Sequence, residues 1–475
     1  MAKRKDSRMD VTARNQKHPL NGEMLRAAVT WAINRRIFDD CNLHGNTKWR
    51  AADLIVLAVV WVWSGDATLT GAFAEAHRWS LKVLGRSAVG TYQGLLKALV
   101  TWTGKMLPRM WCHLQGLMRE HGDEHWRVGL WLALAVDGSR VSVPRTQANE
   151  KAFCAPNFGK GQTARYRKKK NKGLRATKKD KEKMHPVKPQ LWLTLVWHMG
   201  LQMPWSWKSG ASNSSERDHF RQMLREQNFP ENTLFCADAG FTGYDLWKAI
   251  VDEGHSFLIR VGANVTLLRK LGYVYERAGL VYFWPAKAAR QQQPPLVLRL
   301  LHFKLGKCHI YLVTNVLSKK RLTDKQAIEV YRLRWGVELQ FRTLKQTFGR
   351  RKLRSKTPDR ALVELDWSLV GLWMIQLFAV KEQIEIGEVP DQCSVSLAIH
   401  VVRTTFQRWS ERPDIQQALA TRLQAAIKDD YQRKSSKRAR YQPKYKDKPS
   451  AGKPVIVTAT RQHKSRLIQH LQMAA

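Results

Sequence analysis

Three short apolar runs in the middle of the sequence restrict the fold more than any other feature. They lie at residues 128–136, 191–199 and 233–237. Each run is shorter than most buried helices and is bounded by residues typical of turns, so each is predicted to be a buried β-strand. Residues 217–227 follow the capping sequence Ser214-Ser215-Glu216 and are predicted to form a helix between the second and third strands. Strands that alternate with helices predict an α/β fold.

The first apolar run ends at an aspartate-glycine pair. Asp137, Gly138 and Ser139 follow it directly, and residues 140–143 again have the composition of a strand. Because glycine is common in tight turns, we expect the chain to turn at Gly138, with residues 140–143 as the partner strand. Asp137 would then stand at the end of a strand, where its side chain is exposed.

A β-rich region follows the α/β part of the sequence. Residues 256–261 are predicted to form a further strand, and residues 297–303 and 308–314 to form the arms of a hairpin about Gly306. This antiparallel region interrupts the core, and mainly helical sequence follows it. The predicted segments are a first part of the core at 126–265, a β-rich insertion at 266–318, a last part of the core at 319–400 and a basic helical or disordered C-terminal region at 401–475.

The charge of the chain indicates its partner. Eighty-one Lys and Arg residues against 39 Asp and Glu give a net charge of +42 over 475 residues. A protein so basic needs a polyanion, and nucleic acid is the usual one, because each neutralised phosphate releases counterions. Ribosomal and architectural proteins share this property, so the charge predicts the class of partner and leaves the activity open.

Nucleic acid as the expected partner also guides the predictions for the two ends of the chain and for one internal segment. Apolar residues at helical spacing predict a helical domain at 1–125, which either binds DNA ends or supports the core. Residues 165–188 are predicted to form a basic loop that contacts the DNA backbone. The basic tail at 431–475 is predicted to be either a DNA-contacting arm or a disordered end.

Several other activities lack their sequence anchors. No G-x-S-x-G, G-x-x-x-x-G-K-[ST] or H-E-x-x-H motif is present, which argues against serine hydrolysis, ATP hydrolysis and zinc proteolysis. None of the six cysteines belongs to a C-x-x-C pair, so neither a zinc knuckle nor a disulfide framework is indicated. The longest uncharged apolar run, residues 54–63, is too short to span a bilayer. We expect a soluble cytoplasmic protein with no membrane partner.

Four polar residues share one face of a predicted helix at 331–345. Tyr331, Arg334, Glu338 and Lys345 fall within an arc of about 60° at 100° per residue. A carboxylate can hold a divalent cation while neighbouring cations take phosphate oxygens. On its own, this stripe is equally typical of an exposed helix with ion pairs between successive turns.

Two aspartates give the stripe a chemical context. Asp137 and Asp238 each follow an apolar strand, and two such strands side by side would bring both carboxylates within reach of Glu338. Phosphodiester displacement needs carboxylates around two divalent cations, because one cation activates the attacking hydroxyl and the other stabilises the leaving oxygen. Either aspartate alone is weak support, since strand-end aspartates commonly begin turns.

These residues carry a family resemblance. The run Y-x2-R-x3-E-x6-K from Tyr331 to Lys345 resembles the YREK signature of bacterial DDE transposases of the insertion-sequence-four group, and the sequences at Asp137 and Asp238 resemble that family's first two acids. The resemblance covers residues 125–380. It implies an RNase H-like catalytic core with a β-rich insert, catalysis with two Mg²⁺ or Mn²⁺ ions, and cut-and-paste transposition of an insertion sequence by a homodimer that holds both transposon ends and captures target DNA. It also places the protein at the nucleoid of a bacterial cell.

The resemblance also assigns roles residue by residue. Asp137, Asp238 and Glu338 would be the catalytic metal ligands, and Tyr331, Arg334 and Lys345 would contact DNA phosphate. Trp284 is a candidate for stacking on a flipped DNA base, with a place in the protein core as the alternative.

Two alternatives to an active transposase stay open from the sequence. The chain is either a transposase-derived protein that only occupies DNA sites, or an RNase H-like nuclease that nicks DNA without joining strands. The intact set of Asp137, Asp238 and Glu338 favours an active enzyme over the first of these. Tyr331 also suggests a tyrosine recombinase, but its neighbour Glu338 fits metal chemistry better.

Overall fold

The computed structural model describes residues 21–39, 49–154, 188–305, 308–411, 418–429 and 452–474, together with residues 41, 43 and 47. The predicted basic loop at 165–188 therefore lies outside the described residues except for Lys188, and so does Gly306 of the predicted hairpin. Among the described residues, both helices and strands are abundant, and the fold is mixed α/β as predicted.

Ten strands form one sheet in the order β10-β6-β7-β8-β9-β5-β4-β1-β2-β3. Their bounds are β1 (Leu132–Ser142), β2 (Gln190–His198), β3 (Met203–Gly210), β4 (Thr233–Ala237), β5 (Ser256–Val261), β6 (Thr266–Arg269), β7 (Leu280–Phe283), β8 (Leu296–Leu305), β9 (Cys308–Thr314) and β10 (Val455–Thr458). Strand β1 pairs antiparallel with β2 and parallel with β4, and β4 pairs parallel with β5. The predicted strands at 191–199, 233–237 and 256–261 are confirmed, whereas β3 was not predicted.

The helices lie before, between and after these strands. They are α1 (Asn21–Ala32), α2 (Ala51–Trp63), α3 (Leu69–Val83), α4 (Tyr92–His121), α5 (Gln147–Phe153), α6 (Glu216–Glu226), α7 (Tyr244–Asp252), α8 (Ala286–Arg290), α9 (Asp324–Leu333), α10 (Trp335–Arg342), α11 (Pro358–Ile384), α12 (Val395–Gln407), α13 (Leu419–Gln424) and α14 (Arg461–Ala474). Short 3-10 helices and one π-helical turn, Thr343–Thr347, complete the set.

The expected turn at Gly138 is wrong. Strand β1 runs without interruption from Leu132 to Ser142, and Asp137 pairs with Leu195 in the middle of the β1–β2 ladder. The physical reason lies in close packing: a Cβ atom on Gly138 would stand 2.2 Å from Oε2 of Glu216 in α6. The glycine therefore lies where a carboxylate approaches the strand, and the chain does not reverse there.

The predicted hairpin is confirmed in its two arms, β8 and β9, which pair antiparallel. The hairpin is not a sheet of its own. Strand β9 also pairs antiparallel with β5 and so continues the sheet that contains β1 and β4. Strands β6 and β7 extend it further. Sharing one hydrogen-bonded sheet gives this region a rigid connection to β4 and β5.

Part of the basic tail is ordered, contrary to the predicted disordered end, and the alternative prediction that this tail contacts DNA stays untested. Strand β10 pairs parallel with β6 and covers the outer edge of the sheet, and helix α14 follows it. Pairing satisfies backbone groups that an exposed edge strand would leave to solvent. The rest of the predicted tail, apart from residues 452–474, lies outside the described residues.

A long apolar helix organises the helical side of the molecule. Helix α11 is long and apolar enough to cross a membrane by composition, but 94% of that stretch is buried inside the protein, as in the core helix of a folded domain. It packs against α2, α4, α12 and α13. At Gly371 the backbone of α11 comes close to α2, and the indole Nε1 of Trp63 donates to the Gly371 carbonyl at 2.8 Å. The described N-terminal helices thus support the core, and the prediction that they bind DNA ends stays untested.

Candidate active site

Asp137 and Asp238 occupy equivalent places on neighbouring strands. Val136 of β1 pairs with Ala237 of β4 in parallel register, so the next residue on each strand is an aspartate. Strand β4 ends at Ala237, whereas β1 continues to Ser142, which leaves the edge of β1 beyond Val136 uncovered by β4. The two aspartates therefore lie side by side where the sheet opens, although Asp137 lies inside β1 and not at the end of a strand as predicted.

Backbone hydrogen bonds orient both carboxylates. The backbone N–H of Gly138 donates to Oδ1 of Asp137 at 2.8 Å. The backbone N–H of Gly240 donates to Oδ1 of Asp238 at 2.7 Å, so that Asp238 caps the 3-10 helix Ala239–Phe241. In both cases the glycine lies one or two residues after the acid and lets the chain pass close to the carboxylate.

Glu338 reaches this region from helix α10, which packs against β1. The sequence predicts that the polar stripe containing Glu338 lies on one continuous helix. In the structure it lies on three consecutive segments. Tyr331 lies near the end of α9, Arg334 joins α9 to α10, and Lys345 lies in the π-helical turn. At the junction the backbone bonds connect residues three apart, from Arg334 to Tyr331 and from Val337 to Arg334, which tightens the helix locally.

The four residues of the stripe are nevertheless brought together. Nη2 of Arg334 lies 3.1 Å from Oε1 of Glu338, and its guanidinium lies 5.6 Å from the centre of the Tyr331 ring. Nζ of Lys345 donates to the hydroxyl of Ser139, two residues beyond Asp137 on β1. The stripe therefore lies against β1, where Lys345 contacts Ser139, and it has a basic residue before and after Glu338.

The π-helical turn is tied to the same strand. After it, the backbone N–H of Leu353 donates to the carbonyl of Ser142 at 2.8 Å, and the N–H of Ser142 donates to the Arg351 carbonyl at 3.3 Å. Lys352 thereby forms a parallel bridge with Ser142 at the end of β1. π-helical turns are rare in proteins, but those that occur are often found at functional sites. The position of Lys345 in such a turn agrees with a functional role.

The electrostatics of Asp137 reflect its surroundings. Burial, followed by the negative charges of Asp238 and Glu338, raises the pKa of Asp137 to about 7, while the N–H of Gly138 and the guanidinium of Arg334 act in the opposite direction. Burial lowers the pKa of Lys345, and the charge of Asp137 opposes this. Burial also raises the pKa of Tyr331 to about 12. The three predicted acids thus share one electrostatic environment.

The acids that meet here are oxygen donors suited to a hard divalent cation such as Mg²⁺. Among the residues that the structure describes, no three His, Cys, Asp or Glu side chains stand close enough to form a ready-made metal cluster. The predicted ligands Asp137, Asp238 and Glu338 influence one another electrostatically, but their side chains do not form a ready-made metal site.

Sequence reasoning missed one acid at this place. Glu216, which was noted only as part of a helix cap, extends from the first turn of α6 towards Gly138 and Gly240. Burial and the charge of Asp238 raise the pKa of Glu216. The available signal was the glycine that follows each predicted aspartate, since a glycine beside an acid leaves room for another group.

The tryptophan predicted to stack on DNA is a core residue in this structure. Trp284 is 4% exposed, and its Nε1 donates to the carbonyl of Gln293 at 2.8 Å. Stacking on a base would require this side chain to leave its place. Trp335, in the first turn of α10 beside Arg334, is 52% exposed and offers an accessible aromatic face instead. Its exposure was not evident from the helical pattern.

Fold and site together define an α/β protein with paired aspartates on adjacent strands and a glutamate on a basic helical stripe. Residues 132–374, about half of the chain, match the family described as Transposase DDE domain. The chain belongs to this family, and Asp137, Asp238 and Glu338 all lie within the matched region. The family resemblance inferred from the YREK stripe is confirmed.

Two individual proteins are similar to this chain. The transposase InsG for insertion sequence element IS4 of Escherichia coli (strain K12) is 28% identical over 287 residues, which are 57% of this chain and 57% of InsG. The chain thus matches a little over half of the length of that relative. The cryo-EM structure of a piggyBac transposase synaptic complex with hairpin DNA has 12% identity and a TM-score of 0.38, covering 87% of this chain and 84% of that one.

Proposed function

We propose that this protein is a DNA transposase that moves an insertion sequence by cut-and-paste transposition, cleaving DNA strands and joining them to target DNA. The observation that carries the proposal is the placement of Asp137 and Asp238 on adjacent parallel strands, with Glu338 close enough to influence the pKa of Asp137. Membership of the transposase DDE domain family supports the same conclusion.

We assign the catalytic core to an RNase H-like arrangement of the strands β3-β2-β1-β4-β5. Support comes from their order and direction: β1, β2 and β3 are antiparallel neighbours, and β4 and β5 add parallel strands on the other side of β1. In this assignment, residues 266–318 are the insertion between the second aspartate and the glutamate, and residues 319–400 complete the core. Residues 1–125 and 401–475 flank it.

Asp137, Asp238 and Glu338 would hold two divalent cations, Mg²⁺ or Mn²⁺, because all three supply carboxylate oxygens and lie near enough for Asp238 and Glu338 to raise the pKa of Asp137. When bound, such cations increase the nucleophilicity of the attacking oxygen and neutralise charge on the leaving oxygen. The half-buried position of Asp137 lowers the local dielectric constant, which strengthens its attraction for a cation relative to an acid in bulk water.

The basic residues of the stripe would bind the DNA backbone at the cleaved bond. Arg334 holds Glu338 through its 3.1 Å contact and leaves other donors of its guanidinium free to take a phosphate oxygen. Lys345, held at β1 by Ser139, supplies a second positive charge, and the Tyr331 hydroxyl supplies a neutral donor. Fixing the phosphate in this way orients it for in-line attack.

On the strand of each transposon end that is joined to target DNA, two successive displacements at phosphorus account for the chemistry. In cleavage, a water oxygen forms a bond to phosphorus, the bond from phosphorus to the 3′ oxygen breaks, and the freed 3′ oxygen takes up a proton. In strand transfer, that 3′ hydroxyl oxygen attacks a target phosphate, and the target's own 3′ oxygen leaves and is protonated. No bond between enzyme and DNA forms in either step.

The partners in this proposal are the transposon ends and target DNA, bound by a homodimer in the bacterial cytoplasm at the nucleoid. The net charge of +42 supports binding to DNA in general. We assign Trp335 as the aromatic residue that contacts an unstacked base, because its ring is exposed beside Arg334, whereas Trp284 is enclosed.

The proposal is tested with a labelled DNA duplex that carries the inverted repeats flanking the gene, incubated with the protein and Mg²⁺. We expect breaks at the repeat ends and, on adding target plasmid, joined products. A footprint on the repeats without cleavage under Mg²⁺ or Mn²⁺ would instead favour the DNA-binding alternative. Nicks without joined products would favour a nuclease.

A further inference from the structure

A cavity of about 240 Å³ lies behind the helix that carries Glu338. Arg342 at the end of α10 and Thr343 in the π-helical turn form one side of it, and the first turn of α12 forms another. Gln340 also lines the cavity, and at about 100° per residue it projects from almost the opposite side of α10 to Glu338. The cavity is therefore separate from the candidate active site.

The charged side chains that line this cavity are basic. They are Arg342 and Lys428, and none of the described lining residues is Asp or Glu. Asp391 and Asp429, which adjoin lining residues in the chain, are exposed and do not line it. Lys428 donates to the carbonyl of Asp391, whereas Arg342 forms no hydrogen bond or ion pair with another described residue. The cavity thus presents positive charge without an acid on its walls.

The first turn of α12 adds neutral donors to the cavity. The helix begins after Ser394, whose hydroxyl does not cap it. In its first backbone bond the N–H of Ala398 donates to the Ser394 carbonyl at 3.0 Å, so the N–H groups of Val395 and Ser396 have no acceptor in the described part of the chain. Both residues line the cavity. The N-terminus of a helix favours an anion, because its free N–H groups and its dipole are positive there.

A buried donor on a third side indicates the same kind of ligand. Trp197 of β2 lines the cavity and is 1% exposed, and its Nε1 has no acceptor among the described residues. A buried N–H without an acceptor costs free energy. The amides of Gln340 and Gln376, by contrast, satisfy each other through contacts of 2.9 and 2.8 Å. Because the unsatisfied N–H groups around the cavity are donors, the partner that they lack is an acceptor.

We propose that this cavity binds a phosphate group. Phosphate oxygens accept charge-assisted hydrogen bonds from Arg342 and Lys428 and neutral ones from the first turn of α12. Since these donors belong to different segments, a bound phosphate would join α12 to the segment between Glu338 and Lys345. The group is supplied either by a DNA backbone or by a free phosphorylated compound, and both offer the same oxygens. The inference does not depend on the catalytic role of the three acids.

The test follows the binding of inorganic phosphate to the full-length protein by fluorine NMR. The protein is labelled with fluorotryptophan, and the resonance of Trp197 is the one that is absent from Trp197→Phe. We expect phosphate to shift this resonance saturably, with no shift from chloride at equal ionic strength. Trp247, which is buried in another part of the fold, should keep its resonance. If phosphate does not shift the Trp197 resonance, the proposal is overturned.

Substitution of the two cations tests their part in binding. Lys428→Gln and Arg342→Gln each remove one exposed charge, and each should raise the dissociation constant of phosphate about tenfold through the loss of a charge-assisted hydrogen bond. Arg332→Gln is the matched control, because Arg332 is an exposed cation of α9 that does not line the cavity. Unchanged affinity in both cavity variants would overturn the proposal, and so would an equal loss in the control.

A DNA duplex of unrelated sequence distinguishes the two sources of phosphate. If a DNA backbone occupies the cavity, the duplex shifts the Trp197 resonance, and Lys428→Gln lowers the salt dependence of DNA binding by about one phosphate contact. If the ligand is a free phosphorylated compound, inorganic phosphate shifts the resonance and the duplex does not. Either result supports the site. A phosphate shift in a protein that cleaves no DNA would refute the proposed function alone.

Discussion

Two acids in this protein, one fully buried and one half-buried, have different surroundings. Glu364 of α11 is fully buried, and its carboxylate accepts hydrogen bonds from the backbone N–H of Arg354 at 3.1 Å and of Ser355 at 2.8 Å. Asp137 accepts one bond from the adjacent Gly138 and otherwise faces Asp238 and Glu338. The first acid is satisfied by backbone donors, whereas the second has one backbone donor and lies beside two further acids, whose charges the guanidinium of Arg334 offsets only in part.

This difference separates a structural acid from a functional one. A buried carboxylate with two backbone donors stabilises the loop that supplies them, so its removal should weaken the fold. Acids placed against one another lower stability unless a cation joins them, which is typical of sites whose ligand is missing from the chain itself. The following predictions test this contrast, beginning with the largest expected effect.

Replacing an acid of the candidate site should remove activity and leave the fold intact. We expect Asp238→Asn to lower the rate of Mg²⁺-dependent cleavage of the transposon end at least about 10³-fold, since it removes a charge required in the transition state. Its melting temperature should equal or exceed that of the unchanged protein. Cleavage within tenfold of normal would refute the assignment of Asp238.

Replacing the satisfied acid should have the opposite result. Glu364→Ala leaves the N–H groups of Arg354 and Ser355 without their acceptor and should lower the free energy of unfolding by roughly 2–3 kcal/mol, measured by urea denaturation. Glu226→Ala is the control, because Glu226 forms an exposed ion pair with Lys208 and should change stability by less than about 1 kcal/mol. Equal effects of the two substitutions would contradict the structural role of Glu364.

The pH dependence of stability should also distinguish the regions. Because the pKa of Asp137 is about 7 against an ordinary 3.8, the folded protein retains this proton to higher pH than the unfolded chain. Asp137 therefore makes folding less favourable as the pH rises from about 4 to about 7. Asp137→Asn should raise the melting temperature at pH 7.5 in EDTA and have little effect at pH 4, and added Mg²⁺ should diminish its advantage.

Asp366 offers a matched control for that experiment. Burial raises its pKa to about 7 as well, but its Oδ1 accepts a hydrogen bond from Nε1 of Trp207 at 2.8 Å, away from the other acids. Asp366→Asn should change the pH profile in the same direction, and Mg²⁺ should not alter the result. A Mg²⁺ effect on Asp366→Asn equal to that on Asp137→Asn would show that the cation acts elsewhere.

The last comparison concerns the two tryptophans, for which the expected change in DNA binding is the smallest of the functional effects. Trp335→Ala should weaken binding to the transposon end about tenfold, within the range for loss of one stacked base, and leave stability unchanged. Trp284→Ala should lower the free energy of unfolding by roughly 3–5 kcal/mol, because it opens a cavity in the core. Gel-shift titration and urea denaturation of both variants give the comparison. If Trp284→Ala weakened DNA binding and Trp335→Ala did not, the stacking role would belong to Trp284.

The sequence allowed prediction of most local elements and of the residues that meet at the sheet edge. Strands β2, β4 and β5 have apolar runs long enough to be recognised, and the aspartates follow directly from the ends of such runs. Strand β3 was not predicted because Pro204, Lys208 and two serines interrupt its apolar pattern. A strand that is only partly buried gives a weak periodic signal.

The errors have a common physical cause, which is contact between distant segments. The local sequence around Gly138 is typical of a turn, whereas the pairing of β1 with β2, a distant segment, keeps Gly138 inside a continuous strand. The prediction assumes an ideal helix for the polar stripe, whereas the junction at Arg334 and the π-helical turn change the spacing between Tyr331, Glu338 and Lys345. Local patterns carry no information about such contacts, and for the same reason they do not predict that the Glu216 carboxylate lies beside Gly138 and Gly240.

The π-helical turn restricts how this segment of the chain can change in length. A π-helical turn holds one residue more than an α-helical turn, and Lys352 a few residues later is bridged to Ser142. Deleting a single residue between Phe341 and Arg350 would either unwind the turn that presents Lys345 or break the bridge to β1. The spacing between Glu338 and Lys352 should therefore admit substitutions while rejecting insertions and deletions, which a library of single-residue deletions screened for DNA cleavage would reveal.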